Sequence, residues 1–198
     1  MDVSTIVFWL VLLALVMYVI GIYNRLVALK NRYQNAFAQI EVQLKRRYDL
    51  IPNLVETARA YMSHERETLE AVTAARNDAA ALLKALGPDA IGGADMTRLA
   101  SAENALQGAL GKLNVTMEAY PDLKASENMQ QLSEELTNTE NRVAFARQGY
   151  NDAVMAYNTY RQSFPPVAVA STFGHGQDAT LLEFDDSAQI QAAPQVSF

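Results

Sequence analysis

The chain has 198 residues, no cysteine, two histidines and a formal net charge of −6. The lack of cysteine excludes a disulfide framework, a thiol nucleophile and a cysteine-ligated metal, and two histidines far apart in sequence argue against a zinc site. Residues 25–66 hold eight Lys or Arg against four acids, whereas residues 67–198 hold eight against seventeen. Because nucleic-acid binding requires a basic surface, this acidic majority predicts that the protein does not bind nucleic acid.

Residues 3–22 form twenty consecutive positions without a charge. At about 1.5 Å per residue, a helix of this length covers roughly 30 Å, the thickness of a bilayer's hydrocarbon core. A cleaved signal peptide is the competing interpretation, but it requires a basic segment before the apolar run, and only Met1 and the acidic Asp2 stand there. We therefore predict a retained transmembrane anchor over residues 1–24.

The charges that flank this span predict its orientation. Arg25, Lys30 and Arg32 follow the span, and no Lys or Arg precedes it. Basic flanks favour the cytoplasmic side, so the N-terminus is expected outside and the rest of the chain in the cytoplasm. The same three residues are the predicted contacts to lipid headgroups.

The anchor helix is predicted to continue without a break to residue 47, because residues 23–47 contain no Gly or Pro. Its apolar positions recur at helical spacings of three and four, at Leu26, Leu29, Tyr33, Phe37, Ile40 and Leu44. Pro52 lacks a backbone donor and disfavours helical geometry at the residue before it. We predict that residues 49–52 interrupt the first helix, with a single proline-kinked helix as the alternative.

Three further helices are predicted, over residues 53–86, 96–119 and 126–164. The inner face of the one over 53–86 is predicted at Leu54, Ala58, Tyr61, Glu65, Leu69, Val72, Ala79 and Leu83, and that of the one over 96–119 at Leu99, Leu106, Leu110, Leu113 and Met117. Gly87 and Pro88 are the stop signal for the first of these, and Gly108 and Gly111 weaken the second unless they permit a close helix contact. The last helix carries a stripe of apolar or small residues at alternating spacings of three and four, called the seam here: Met129, Leu132, Leu136, Thr139, Val143, Ala146, Tyr150, Ala153, Tyr157, Tyr160 and Phe164. A bundle interior explains the seam better than an intermolecular coiled coil does, because the helix has three long neighbours.

The predicted fold is therefore all-α, with an N-terminal transmembrane helix that continues into an elongated antiparallel four-helix bundle over residues 25–164. Residues 165–198 are predicted to be a non-helical C-terminal tail that docks on its own bundle or on a neighbouring copy.

Polar side chains on the predicted helices were weighed as sites. The densest charge cluster is predicted to pair with the acidic later helices, within one chain or between copies, or else to be a solvated helix end; it consists of Lys45, Arg46, Arg47, Asp49 and Glu56. Glu65 falls on an apolar helix face, where a hydrogen-bonded structural carboxylate is the favoured interpretation over a catalytic one. His64 is not followed by a second histidine four residues later, so the zincin pattern is absent. No catalytic residue, cofactor or metal is predicted.

Four long segments carry a family resemblance, and they read IEVQLKRRYDLIPNLVETARAYMSHERETLEAVTAAR from position 40, EAYPDLKASENM from 118, ELTNTENRVAFARQGYNDAVMAYN from 135 and FPPVAVASTFG from 164. These segments resemble the LemA family of bacterial membrane-anchored helical proteins. The resemblance implies a single N-terminal span before an elongated antiparallel four-helix bundle, at the bacterial inner membrane, and no catalytic activity. The expected function is a self-assembling scaffold, and the alternative is a monomeric adaptor for another membrane protein such as a protease or sensor.

Overall fold

A computed structural model of the chain describes residues 2–86 and 93–184. All regular secondary structure in these ranges is helical. The six helices are α1 Val3–Arg59, α2 Arg66–Ala85, α3 Ala94–Met117, α4 Pro121–Ala125, α5 Glu127–Gln162 and α6 Pro166–Thr172. The predicted stop signal at Gly87 and Pro88 and the tail residues 185–198 lie outside the described ranges.

The first helix is one continuous element of 57 residues. Its N-terminal part is long and apolar enough to cross a membrane, and only 6% of the most apolar stretch is buried by the rest of the chain. The six apolar positions predicted on its next part are all buried. One helix thus carries an exposed apolar segment and a segment that packs into the core.

The predicted break near Pro52 is wrong, because α1 continues through Pro52 as a single helix. Pro52 cannot donate to the carbonyl of Tyr48, four residues earlier, so that carbonyl needs another donor. Arg76 of α2 provides it, since its Nε donates to the Tyr48 carbonyl oxygen at 2.9 Å. The helix continues to Arg59 because a neighbouring helix satisfies the group that proline leaves without its usual partner.

The actual interruption lies at residues 60–65, within the predicted second helix. The helical spacing of three and four residues does not continue across this interruption, so the interruption changes which residues of the segment face inward. Met62 is fully buried, whereas Tyr61, which was predicted on the inner face, is 46% exposed. The other apolar inner positions are buried as predicted, at Leu54, Ala58, Leu69, Val72, Ala79 and Leu83.

The helices pack mainly in pairs, α1 with α5 and α2 with α3, and α1 also contacts α2. Aromatic pairs join the first of these: Tyr33 lies 5.2 Å from Tyr157 and Phe37 lies 5.7 Å from Tyr150 between ring centroids. Farther along, Arg46 pairs with Glu135. Residue numbers on α5 therefore decrease as the residue numbers of their contacts on α1 increase. The buried apolar residues form one hydrophobic core, whose members run from Ile22 to Phe184 in the sequence.

The seam is largely buried, with one exception at its end. Seven of its residues are buried, at Met129, Leu136, Thr139, Val143, Tyr150, Ala153 and Tyr157, and Leu132, Ala146 and Tyr160 pack against the core. Phe164 is 87% exposed, so its predicted place in the core is wrong. The reason is that α5 ends at Gln162, and Phe164 belongs to the turn that follows it.

The tail is not wholly non-helical as predicted, because α6 begins at Pro166, where a proline in the first turn loses no intrahelical hydrogen bond. This short helix packs against α1 and α5. The chain then runs on as non-helical backbone to residue 184.

Gly108 and Gly111 do not mediate a close helix contact. A Cβ at either position would meet nothing within 4 Å. We expect Gly108→Ala and Gly111→Ala each to stabilise the chain by about 0.5–1 kcal/mol, because alanine restricts the unfolded chain more and favours the helix. Thermal unfolding followed by circular dichroism in detergent should show a higher midpoint for each variant. Gly93→Ala is the matched control and should lower the midpoint, since Gly93 has a φ of 62°; unchanged midpoints for the α3 variants would contradict this prediction.

Candidate functional site

The predicted charge cluster on α1 is distributed over several separate contacts. Lys45 is exposed. Arg46 pairs with Glu135 of α5 at 2.7 Å, at the surface, and Glu56 lies 3.7 Å from Arg59 of its own helix. Asp49 is exposed and lies 4.0 Å from Arg76 of α2.

Arg47 differs from the rest of the cluster because it is buried. Its guanidinium pairs with the carboxylate of Glu103 on α3, and the two side chains are only 6% and 1% exposed. The hydroxyl of the adjacent Tyr48 donates to the same carboxylate. Burial raises the pKa of Tyr48 to about 12, although Arg47 and Arg76 act in the opposite direction. A phenol that holds its proton this firmly acts as a hydrogen-bond donor to the carboxylate and not as a base.

This ion pair joins α1 to α3, and Gln107, Glu140 and Arg147 line the same recess as Arg47. Charges removed from water are tolerated when they have partners, and Glu103 has an ion pair with Arg47 and a hydrogen bond from Tyr48. Nearby on α5, burial raises the pKa of the Glu140 carboxyl, and the charge of Arg47 opposes that shift. The sequence analysis did not identify Glu103. A signal was present nevertheless, because Glu103 stands between Leu99 and Leu106 on the apolar face at helical spacing.

Two asparagines of α5 hold the tail against the helix. The side-chain amide of Asn158 donates to the carbonyl of Ala179 and accepts from its N–H, both at 2.9 Å. Asn151 makes the same pair of bonds with Leu182, at 3.1 and 2.9 Å. Seven residues along a helix and three along an extended chain both cover about 10 Å, so the two spacings match.

Side chains of the tail complete the attachment. Leu182 is fully buried, and Phe184 lies under the guanidinium of Arg147, whose Cζ is 4.3 Å from the ring centroid. The hydroxyl of Tyr150 donates to the carbonyl of Thr180 at 2.7 Å. The tail thus fills a place in the same core as the helices, at least as far as residue 184.

A polar contact and an aromatic contact fix the start of the extended tail. Asp178 accepts hydrogen bonds from Gln162 and Arg161, and these bonds lower the pKa of its carboxyl. His175 is buried, with its Nδ1 3.1 Å from the hydroxyl of Tyr157 and its ring against Tyr23. Burial, and secondarily the charge of Lys30, lowers the pKa of His175.

The lowered pKa of His175 predicts that acid weakens the attachment of the tail. The pKa of His175 is lower when the tail is docked than when the tail is released, so protonation favours the released tail. Docking is therefore strongest above the ordinary histidine pKa of about 6.5 and weakens as the pH falls below that value. Hydrogen–deuterium exchange of residues 175–184 in detergent, corrected for intrinsic rates, should therefore show more opening at about pH 5.5 than at about pH 7.5. His175→Gln should remove this dependence and His64→Gln, at an exposed histidine, should retain it; equal pH dependence in both variants would disprove the assignment.

The remaining predicted residues lie at the two ends of the helices. Glu65 is half-buried at the start of α2 and accepts a hydrogen bond from the hydroxyl of Tyr120 at 3.2 Å. Arg25 is exposed, and its Cζ lies 5.7 Å from the centroid of the Tyr160 ring. Lys30 is half-buried near His175, and Arg32 is exposed. Within residues 2–86 and 93–184, no cluster of three His, Asp or Glu side chains has an arrangement suited to a metal ion.

Comparison with known proteins gives two matches. The model of the family described as "LemA family" matches residues 36–198. The chain is also similar to a protein called "Protein LemA" from Metamycoplasma hominis, with 27% identity over 145 residues, which is 73% of this chain and 62% of the relative. The matched region thus spans less than two thirds of the length of that relative.

Proposed function

The chain belongs to the LemA family, as its sequence predicted, and on that premise we propose that it is a membrane-anchored, non-enzymatic scaffold that self-assembles and organises the membrane or recruits proteins to it. In this proposal residues 3–22 cross the bacterial inner membrane, the N-terminus lies outside, and the remaining helices lie in the cytoplasm. Arg25, Lys30 and Arg32 then face the lipid headgroups of the inner leaflet.

The main support for the proposed membrane anchor is the difference in exposure between two segments of α1. Its apolar N-terminal segment is almost entirely exposed, whereas the segment that follows it in the same helix is built into the core. An exposed apolar surface of this length is costly in water and is the surface that a bilayer covers. Because α1 is continuous, the anchor and the cytoplasmic domain form one stiff element.

We further propose that α1, α2, α3 and α5 constitute an elongated antiparallel four-helix bundle. The contacts of α1 with α5, of α2 with α3 and of α1 with α2 support this arrangement. The Arg47–Glu103 pair supports it too, because it connects α1 to α3 through the interior.

Self-assembly is supported by apolar side chains on the outer surface of the α1 and α5 pair. Phe145 is 80% exposed and borders a shallow recess between the two helices that Ala36, Ala146 and Gly149 line. Gln39, Gln43, Asn141 and Arg142 line the recess as well. An exposed aromatic side chain surrounded by small and polar residues is typical of the centre and rim of a protein interface.

We expect Phe145→Asp to reduce the mass of the particle that the full chain forms in detergent, because it places a charge at the centre of this surface. Light scattering coupled to size-exclusion chromatography measures that mass. Val115→Asp is the matched control, since Val115 is 70% exposed on α3. A mass of one chain for the unaltered protein at micromolar concentration would contradict self-assembly.

The adaptor alternative predicts a different result in cells. Crosslinking through residues of this surface would then recover one foreign membrane protein and no adducts between copies. Adducts between copies, lost in Phe145→Asp, are the result expected of the scaffold.

A further inference from the structure

The corner between α5 and α6 lies beside the end of the candidate membrane span. Phe164, Pro165 and Pro166 line one recess together with Met17, Tyr18 and Gly21 of α1. Ile22 is buried in the same core, and α6 packs against α1. The far end of the cytoplasmic helices is therefore level with the last turns of the apolar segment and not beyond them.

The depth of this corner follows from helix geometry. If residues 3–22 fill a hydrocarbon core about 30 Å thick, Met17 lies roughly 7 Å inside its boundary, at about 1.5 Å per residue. Side chains that share a recess with Met17 and Tyr18 cannot then stand in bulk water. They reach the interface between acyl chains and headgroups.

The chemistry of the corner agrees with that position. Residues 163–177 carry no Asp, Glu, Lys or Arg, although such residues make up 19% of the chain. Phe164, Val167 and Phe173 of this segment are 87%, 40% and 54% exposed. The nearest charges on either side, Arg161 and Asp178, neutralise each other in an ion pair.

The surroundings are those of a membrane interface. Tyr23 contacts the ring of Phe173 at 5.8 Å, and Arg25 lies over Tyr160. Aromatic side chains with basic residues at one level are typical of the headgroup region. A second copy of the chain would need to cover an uncharged surface that already adjoins the bilayer, whereas lipid reaches it without any rearrangement.

We propose that the α5–α6 corner, residues 163–173, inserts Phe164, Val167 and Phe173 into the inner-leaflet interface as a second membrane contact next to the anchor helix. This inference rests on the proposed anchor. It gives the long helices two points of attachment on the bilayer, because α1 emerges from the membrane and α5 returns to it. The inserted corner fixes the tilt of the helices against the membrane, which a single helix alone leaves free.

Fluorescence quenching by spin-labelled lipid tests the insertion, and the lack of native cysteine makes single labels straightforward. Full chains with Phe164→Cys or Val167→Cys are labelled with a fluorophore in vesicles of phosphatidylcholine with a minority of phosphatidylglycerol. Lipids with a spin label near the headgroup end of the acyl chain are expected to quench both several-fold more than a label at Val115→Cys. Val115 is the matched control, because it is a 70% exposed apolar residue on α3 and lies outside the proposed self-assembly surface.

A label at Leu12→Cys, measured with lipid that carries its spin label near the end of the acyl chain because Leu12 lies near the middle of the span, separates the two possible failures. If Leu12 is quenched while positions 164 and 167 behave like position 115, the corner lies in water or against another protein, so the inference is wrong and the anchor stands. Quenching at 164 but not at 167 also overturns the inference. In Val167→Cys the native Phe164 is still present, so an inserted corner should be quenched there too. Quenching at 164 alone would mean that the fluorophore itself drew that position into the membrane. If Leu12 itself is not quenched, the span is not embedded, and both the proposed anchor and this inference fail.

Discussion

Glu103→Ala is expected to destabilise the chain by about 3–5 kcal/mol, a larger loss than any surface substitution should produce. The substitution removes the carboxylate that neutralises Arg47 and leaves a guanidinium charge in a place that is 6% exposed. It also removes the acceptor of the Tyr48 hydroxyl. Thermal unfolding in detergent, followed by circular dichroism, measures the effect.

The matched control is the neighbouring ion pair at the surface. Arg46 and Glu135 are about half exposed, and they join α1 to α5 one position before Arg47. Exposed pairs contribute about 0–1 kcal/mol, so Glu135→Ala should change the midpoint little. Equal losses in the two variants would show that burial of the Arg47–Glu103 pair has no energetic role.

A double variant tests whether the intact ion pair itself stabilises the fold or whether only the loss of one of its partners is destabilising. Arg47→Met with Glu103→Leu replaces both charges by side chains of similar volume. Because such replacements of buried pairs are often neutral or stabilising, we expect the double variant to recover most of the stability that Glu103→Ala loses. Because the double variant also removes the acceptor of the Tyr48 hydroxyl, a loss as large as that of Glu103→Ala would assign a net favourable energy to the group of Arg47, Tyr48 and Glu103 as a whole.

The regular parts of the fold were predictable because they depend on periodicity within single helices. The apolar positions of α1 from Leu26 to Leu44 and of α3 are buried as the spacing indicated. The α1 helix passes through Pro52 for a reason that no local pattern contains. A residue 28 positions away, Arg76, satisfies the carbonyl of Tyr48, and a contact at that separation cannot be inferred from helix signals.

The polar contacts of the site were less predictable, and for a similar reason. Asn151 and Asn158 lie next to seam residues seven positions apart, a spacing that places them on one side of α5, but nothing local indicates what they bind. Arg47 was grouped with Lys45 and Arg46 as part of a charge cluster. The helix turns each of them about 100° from the next, so only Arg47 faces the interior.

Replacement of Asn158 or Asn151 by alanine is expected to release the tail while the helices remain folded. Each asparagine makes two hydrogen bonds to the tail backbone, and a net value of about 0.5–1.5 kcal/mol per bond gives about 1–3 kcal/mol for each side chain. Exchange of the amide hydrogens of Ala179 and Leu182, which donate to these side chains, should accelerate roughly 5- to 150-fold in the corresponding variant. Amides in the middle of α5 should keep their protection.

Asn141→Ala is the matched control, because Asn141 is exposed on the same helix. Exchange of the two tail amides should not change in that variant, and Asn151→Ala with Asn158→Ala should open the tail more than either alone. Since the tail also buries Leu182 and Phe184, its release exposes apolar surface along α1 and α5 and brings Arg147 out from its contact with the Phe184 ring. Unchanged exchange in the double variant would show that these buried apolar side chains, and not the asparagines, hold the tail in place.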